Sequence, residues 1–356
     1  MKKFLVFFGF FFIFFYPGYS QESIKNQEKP LSENAGRILR LEEELRITDV
    51  NGEFFFQYPR EIKMAPDGSY LFYDREQLIQ LDKEGRFIQN FYRKGQGPGE
   101  LNYVSNFVVL EDILIVHNNN PNKIVWFDLQ GELVKELSLQ KLGTHADLQF
   151  YHDGKFYLLK SGMPARPEKL EVLDIPHILI ELSEESNDMK ELISFPLKAL
   201  VAGGAWASGG NILSIPHQQR FLFVSHTQEY MVHLYDCESH DLLRSFNRSY
   251  KRIKRPKGAG GAAIIIDGKI YEAPGSEYLN DISGLYMYKD RLWVRTSQKD
   301  EKKGYLIDVF DFDGQYVDCF YLQTDGSLMG THEDFIFIRE KDPNELIHIV
   351  KYRVID

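Results

Sequence analysis

The sequence predicts an all-β chain: a six-bladed β-propeller with four-stranded blades, its ring closed by an N-terminal strand. Three observations carry this reading. First, Leu101–Val116 and Tyr278–Val294 are two versions of one segment, registered on Ser105/Ser283 and Asp112/Asp290, each an apolar strand, an acidic turn and a second strand. Second, each copy is followed by another strand pair hinged on Asp-x-x-Gly or Asp-x-Asp-Gly, so the recurring unit has four strands. Third, the last unit runs out after three strands, and a spare strand stands near the other end of the chain at Leu45–Val50. A ring with an unpaired sheet edge is open to aggregation, so the spare strand belongs in the incomplete blade.

The units follow in order. The first has Ile62–Met64, a turn at Pro66-Asp67-Gly68, Tyr70–Tyr73, Leu78–Leu81, the hairpin Asp82–Gly85 and Phe87–Phe91. The second starts near Val104 and ends with Ile124–Phe127, the hairpin Asp128–Gly131 and Leu133–Leu137. Leu148–Phe150, Phe156–Leu159 and Ile178–Leu182 begin a third, with Pro164–Pro176 read as an inserted loop. Ile212–Ile215, Arg220–Val224, Met231–Tyr235 and Leu242–Phe246 make the fourth. The fifth is the Ile282 copy with Tyr305–Phe310 and Tyr316–Phe320, and Leu328–Gly330, Phe335–Ile338 and Leu346–Val354 are left for the sixth. All are short aromatic or β-branched runs bounded by turn residues, the pattern of half-buried strands.

Ahead of the propeller, Met1-Lys2-Lys3 is basic and Phe4–Phe15 is almost purely apolar, with Gly18 and Ser20 at positions −3 and −1 before Gln21. This is the layout of a secretory signal peptide cleaved after Ser20, and the apolar run is short for a bilayer span. Residues 1–20 therefore read as a signal peptide, 21–40 as a flexible leader and 41–356 as the propeller. The expected protein is exported, periplasmic or secreted, with no transmembrane segment in the mature chain, and monomeric. The formal charge is −10, and removing residues 1–20 takes away two lysines and no acid. That acidity argues against a nucleic-acid partner, which needs a basic face. Cys237 and Cys319 are the two cysteines and fall in different units, so the sequence leaves their oxidation open.

Arg93–Leu101, with its spaced glycines, leads into the second unit, followed by Ile113–Val116, Asn122–Asp128 and Gly131. A glycine-spaced entry, an apolar strand and a polar-basic-apolar-x-x-Phe-Asp strand resemble an NHL-type repeat. The whole is similar to exported bacterial six-bladed propellers of the NHL/TolB-like group, over nearly all of residues 45–356. That resemblance implies the fold and no particular reaction.

Several local patterns are tested against chemistry. Gly95–Gly99 lacks the Gly-Lys-Ser/Thr and the following helix that a phosphate loop requires. Asp311–Gly314 lacks the further ligands of a calcium loop and reads as a β-turn. There is no zinc-ligand spacing, no Ser-centred elbow and no Cys/His pair. Propeller sites are assembled from the starts of inner strands around the central channel. On that logic Arg60, Glu61, Asn106, Asp147, Asn211, Asn280, Asp281 and Thr331 approach the channel. The basic stretch Arg248–Lys257, followed by Gly258, Gly260 and Gly261, reads as a loop over its mouth, where Arg248, Arg252 and Arg255 would meet an anion. The expected function is a binding scaffold for a small anionic ligand, a glycan or a protein partner, with Arg248, Arg252, Arg255, Arg60 and Asn106 as ligand contacts. The alternative is a metal-assisted hydrolase or lyase holding Ca²⁺ or another divalent ion on Glu61, Asp147 and Asp281.

Overall fold

The computed structural model describes residues 23–49, 52–142, 146–162, 166–257 and 259–355. The proposed signal peptide and Val50 lie outside them. Six antiparallel sheets form the blades of a propeller. Their inner strands are Arg60–Met64, Val104–Leu110, Ala146–His152, Ile212–His217, Ile282–Tyr288 and Ser327–His332. Each inner strand contacts the next, and the sixth contacts the first, which closes the circle.

The sixth blade is completed from the N-terminus, as the strand count requires. Arg40–Ile47 pairs antiparallel with Ile347–Ile355, from Ile47 opposite Ile349 to Arg40 opposite Ile355. The closing strand thus starts and ends earlier than Leu45–Val50. The stretch 23–38, expected as part of a flexible leader, holds two strands joined by turns. Ser23–Asn26 adds a parallel fifth strand to the outer edge of blade four, and Arg37–Ile38 does the same to blade five. Backbone pairing holds this polar segment where side-chain hydrophobicity gave no sign of order. Asn26 Nδ2 also donates to the carbonyls of Asn247 and Gly314, both at 2.9 Å.

Apolar residues from facing blades make six separate cores, one in each gap between neighbours. Ile47, Phe72, Leu81, Phe337 and Ile349 fill the gap between blades six and one, where the ring is sealed. Leu71, Leu101, Phe107 and Phe127 fill the next. Cys237 and Cys319 are free, buried thiols in different gaps. Burial pushes the Cys237 thiol up to about 12, which keeps it protonated and unreactive.

The hairpin turns are built alike. Asp82, Asp128 and Asp311 each accept backbone N–H bonds from within their own turn, and Gly85, Gly131 and Gly314 take positive φ of 80°, 91° and 78°. Asp311–Gly314 is accordingly a turn. In the glycine-spaced entry, a Cβ on Gly95 would lie 1.9 Å from a carboxylate oxygen of Glu100, whose own oxygen accepts the Gly97 N–H at 2.8 Å. The loop is wrapped around an acid, the reverse of a phosphate cradle.

Blade three departs from the expected pattern. The stretch read as an inserted loop joins one of two long strands, Glu171–Ser183 and Met189–Ala202, with Pro176 paired opposite Pro196. Their far ends extend beyond the partner strand Lys155–Ser161 and carry a short fifth strand, Ala205–Ala207. A hairpin of Ala263–Ile266 and Lys269–Glu272, inserted between blades four and five, packs on this extension through Ile264, Ala273 and Leu200.

Ring closure makes a direct prediction. A chain beginning at residue 48 should lose the parent's cooperative thermal transition, whereas Ile47→Ala, which opens a cavity at a site only 1% exposed, should cost about 2–5 kcal/mol in urea unfolding. A shortened chain melting at the parent temperature would mean that the ring seals elsewhere.

Candidate functional site

The second strand of a blade ends beside the loop that enters its own inner strand, and a buried polar side chain there clamps the loop. In blade one, Asp74 is fully buried and accepts the backbone N–H groups of Gln57 at 2.6 Å and Tyr58 at 2.7 Å. Burial still raises the Asp74 pKa, with these two bonds opposing it. In blade two, the buried Asn118 accepts N–H bonds from Asn102 at 2.8 Å and Tyr103 at 2.9 Å. Thr227 in blade four accepts from Asn211 at 2.8 Å. The clamp fixes Tyr58 and Tyr103 at equivalent places, both substantially exposed, within two residues of an inner strand.

Just beyond the clamp the inner strand bulges. One residue is unpaired in blade one at Glu61, in blade two at Ser105, in blade three at Gln149, in blade five at Ser283 and in blade six at Met329. The serines that registered the sequence repeat are therefore the bulged residues of two blades. A bulge re-aims side chains. Glu61 adopts φ 42°, a left-handed conformation costing roughly 1 kcal/mol outside glycine, and such strain concentrates at functional sites.

The bulged residues of blades one, two and three and the clamped rim of blades one and two line a cavity of about 1260 Å³ at the face where the inner strands begin, its lining drawn from blades one to four. Arg60, Glu61, Asn106 and Asp147 line it, as the sequence predicted. So do Tyr58, Tyr73, Arg75, Tyr103 and Trp206, which sequence reasoning missed. A signal for the tyrosines existed: Tyr58 and Tyr103 recur at the entry of consecutive units. Trp206 gave none, because it arrives on the blade-three extension. Asn280, Asp281 and Thr331 are not in the lining.

Deeper in the channel, polar side chains stitch inner strands together. Lys63 Nζ donates to the Phe107 carbonyl and to Asn106 Oδ1 at 3.1 Å, and Asn106 Nδ2 donates to the Leu148 carbonyl at 2.7 Å. Ser214 Oγ donates to Gln149 Oε1 at 2.7 Å, and Thr331 Oγ1 to the Met287 carbonyl. Desolvation lowers the Lys63 pKa, opposed by Glu61 at 3.7 Å. Asn106 was expected as a ligand contact, but its amide is engaged at both ends in this belt. Its role is to hold blades in register.

The basic loop also differs from expectation. Arg248 belongs to the outer strand of blade four and is buried. Its Nε donates to Asp308 at 2.7 Å, and its guanidinium lies 5.0–5.4 Å from the rings of Tyr230, Tyr250 and Tyr316. Tyr316 donates to the other Asp308 oxygen at 2.7 Å. Arg252 Nε pairs with Asp281 at 3.1 Å, and Arg255 donates to the carbonyls of Ser276 and Tyr278 at 2.9 and 3.3 Å. Neither Arg252 nor Arg255 lines the cavity, and their donors hold the loop down. Asp281, expected as a metal ligand, instead neutralises an arginine. Among the described residues no group of three or more His, Cys, Asp or Glu side chains is placed to hold a metal ion.

Ser105 makes a contact that resembles a nucleophile with its base. Its Oγ lies 2.7 Å from His117 Nδ1, and His117 Nε2 is 3.0 Å from Asn122 Oδ1. The imidazole is fully buried, and burial drives its pKa down to about 4. A ring sealed from the cavity cannot protonate a leaving group there. The pair instead ties the Ser105 bulge to the second strand.

Two outcomes follow. Arg248→Ala strands the buried Asp308 and should cost about 3–5 kcal/mol, read from urea denaturation; an unchanged midpoint would return this arginine to the surface. His117 is held below its unfolded pKa, so the native state binds fewer protons and its stabilising effect is present above about pH 6.5. It should be lost as pH falls from about 6.5 towards 4, by roughly 3 kcal/mol, and His117→Asn should flatten that slope.

A family model, DUF5128, described as a 6-bladed beta-propeller, matches residues 49–170, about a third of the chain. No curated protein matches the sequence. Among solved structures, the chain is similar to a Bacteroides fragilis protein whose name records an inferred export. The TM-score is 0.60 at 12% identity, covering 94% of this chain and 100% of that one. It is equally similar to a Bacteroides vulgatus member of the DUF4221 family, with TM-score 0.60, 10% identity and 90% and 99% coverage. At such identities the likeness is one of fold, and the fold they share with this chain is the propeller.

Proposed function

We propose that this protein is an exported, monomeric ligand-binding module whose site is the cavity at the start of the inner strands. The observation that supports this best is the repeated construction of the cavity rim. Buried clamps under Tyr58 and Tyr103 present rigid aromatic surfaces, which lose little conformational freedom when a ligand stacks on them. The lining is rich in amides and hydroxyls, including Gln57, Asn102, Asn119 and Ser161, suited to a polar ligand. Export rests on the basic-apolar-small order of residues 1–20, and the inferred export of the Bacteroides fragilis neighbour agrees with it. No helix among the described residues is long and apolar enough to cross a membrane. The metal-assisted reading draws less support, since Glu61 faces Lys63 and Asp281 faces Arg252.

The chain carries its own reporter. Of its three tryptophans, Trp126 and Trp293 are 4% and 3% exposed, whereas Trp206 is 46% exposed and lines the cavity. Titration with soluble oligosaccharides should therefore change the intrinsic fluorescence in a saturable way that Trp206→Phe abolishes. A saturable ligand that leaves the Trp206 signal untouched would place the site elsewhere. An active-site fluorophosphonate should leave Ser105 unlabelled, and covalent capture there would turn the reading to a hydrolase.

A further inference from the structure

We infer that the cavity selects a carboxylate-bearing oligosaccharide, its acid groups directed at Arg60 and Arg75 on the blade-one side. This rests on the proposed binding role of the cavity and adds the ligand's chemistry. The first support is the charge arrangement of the lining. Its carboxylates on blade one are already engaged: Glu61 lies 3.7 Å from Lys63 Nζ, and Glu76 lies 2.6 Å from Lys94 Nζ. Arg60 and Arg75, exposed in the same lining, have no carboxylate within ion-pair distance among the described residues. Asp74 stands between them in sequence, but its oxygens are turned to the Gln57 and Tyr58 N–H groups. In a chain of formal charge −10, two guanidiniums outside any ion pair are the unusual feature of this face, Arg75 meeting Asp74 only at longer range.

The second support is shape and surface. The Arg60 guanidinium sits 5.1 Å from the Tyr58 ring, which also carries the Arg339 guanidinium at 3.8 Å, so the cation is held beside this aromatic rim. Tyr103 and Trp206 offer two more exposed rings in the same lining. A pyranose has an apolar C–H face for such rings and hydroxyls for the amides between them, and a uronate adds the carboxylate that a guanidinium binds in bidentate fashion. About 1260 Å³ exceeds the ~300–1,000 Å³ of ordinary small-molecule sites, which suits several linked sugars better than one. Asp147 adds a carboxylate on the blade-three part of the lining.

The test is calorimetric titration of the mature chain at low ionic strength with galacturonate, mannuronate and glucuronate oligomers. Each is paired with its carboxyl-reduced counterpart of equal length, and a short acidic peptide is included. At least one uronate oligomer should bind, and its reduced form should bind about tenfold more weakly or worse. Arg60→Ala and Arg75→Ala should each remove most of that preference while leaving the melting temperature in place. Tyr103→Ala and Trp206→Ala should weaken the acidic and reduced forms alike. Equal binding of acid and reduced oligomers, or an acid preference that survives Arg60→Ala/Arg75→Ala, overturns the inference while the cavity role stands. Uronate binding indifferent to Tyr103→Ala and Trp206→Ala overturns the cavity role itself. If every uronate oligomer fails to bind, or the peptide alone binds, the carbohydrate assignment is wrong.

Discussion

A ring of blades has no stable intermediate form, because each sheet buries its two faces only against neighbours on both sides. The seal therefore falls on one ladder, between Arg40–Ile47 and Ile347–Ile355. Ile47 and Ile349 on that ladder meet Phe72, Ile79 and Leu81 of blade one, so the pairing that completes a sheet also completes a core. Without it the last sheet would present an unpaired edge and the first blade an uncovered apolar face. The cavity at the channel mouth depends on this order of blades, since its lining is drawn from blades one to four at once. The chain extends the same device, and residues 23–38 add strands to the outer edges of blades four and five before the seal is made. The two ends of the protein thus stabilise three consecutive blades from outside.

The ring and the site rest on the same side chains, which limits what either can change. Lys63 and Asn106 bond blade one to blade two and blade two to blade three just below the cavity floor. Asp74 and Asn118 hold the rim tyrosines from behind. These groups order the surfaces of the cavity rim from behind, and their cost in buried polarity is offset by hydrogen bonds made within the repeat.

Much of this was legible in the sequence because propeller units are local. Strand, turn and strand lie within about 50 residues, close to the blade period such folds use, and apolar runs with Asp-x-x-Gly hairpins mark them. The positions of Arg60, Glu61, Asn106 and Asp147 at the channel mouth followed from the rule that inner strands begin there. Two of the misreadings share one cause, contacts between residues far apart in the chain. Arg248 looked like a loop cation because its counter-ion, Asp308, stands sixty residues away on another blade. The leader looked flexible because its order comes from backbone pairing, which leaves no hydrophobic trace. Blade three's extension was hidden by prolines, which normally stop strands but here face each other as Pro176 and Pro196.

The same locality explains why the cavity could be repeated into existence and then specialised. Blades one and two each supply a clamp, a rim tyrosine and a bulge, the equipment of a common unit. Blades three and five keep the bulge, but the residues around it differ. Blade three raises a wall bearing Trp206, and the loop before blade five ties Arg252 to Asp281. Arg60 and Arg75 then sit on the blade-one part of the mouth and Asp147 on the blade-three part. A ring built from equivalent units is pseudo-symmetric, and a ligand bound at its centre would otherwise meet several near-identical orientations. Unequal charge and one raised aromatic wall break that degeneracy, as the proposed binding of a directional chain requires.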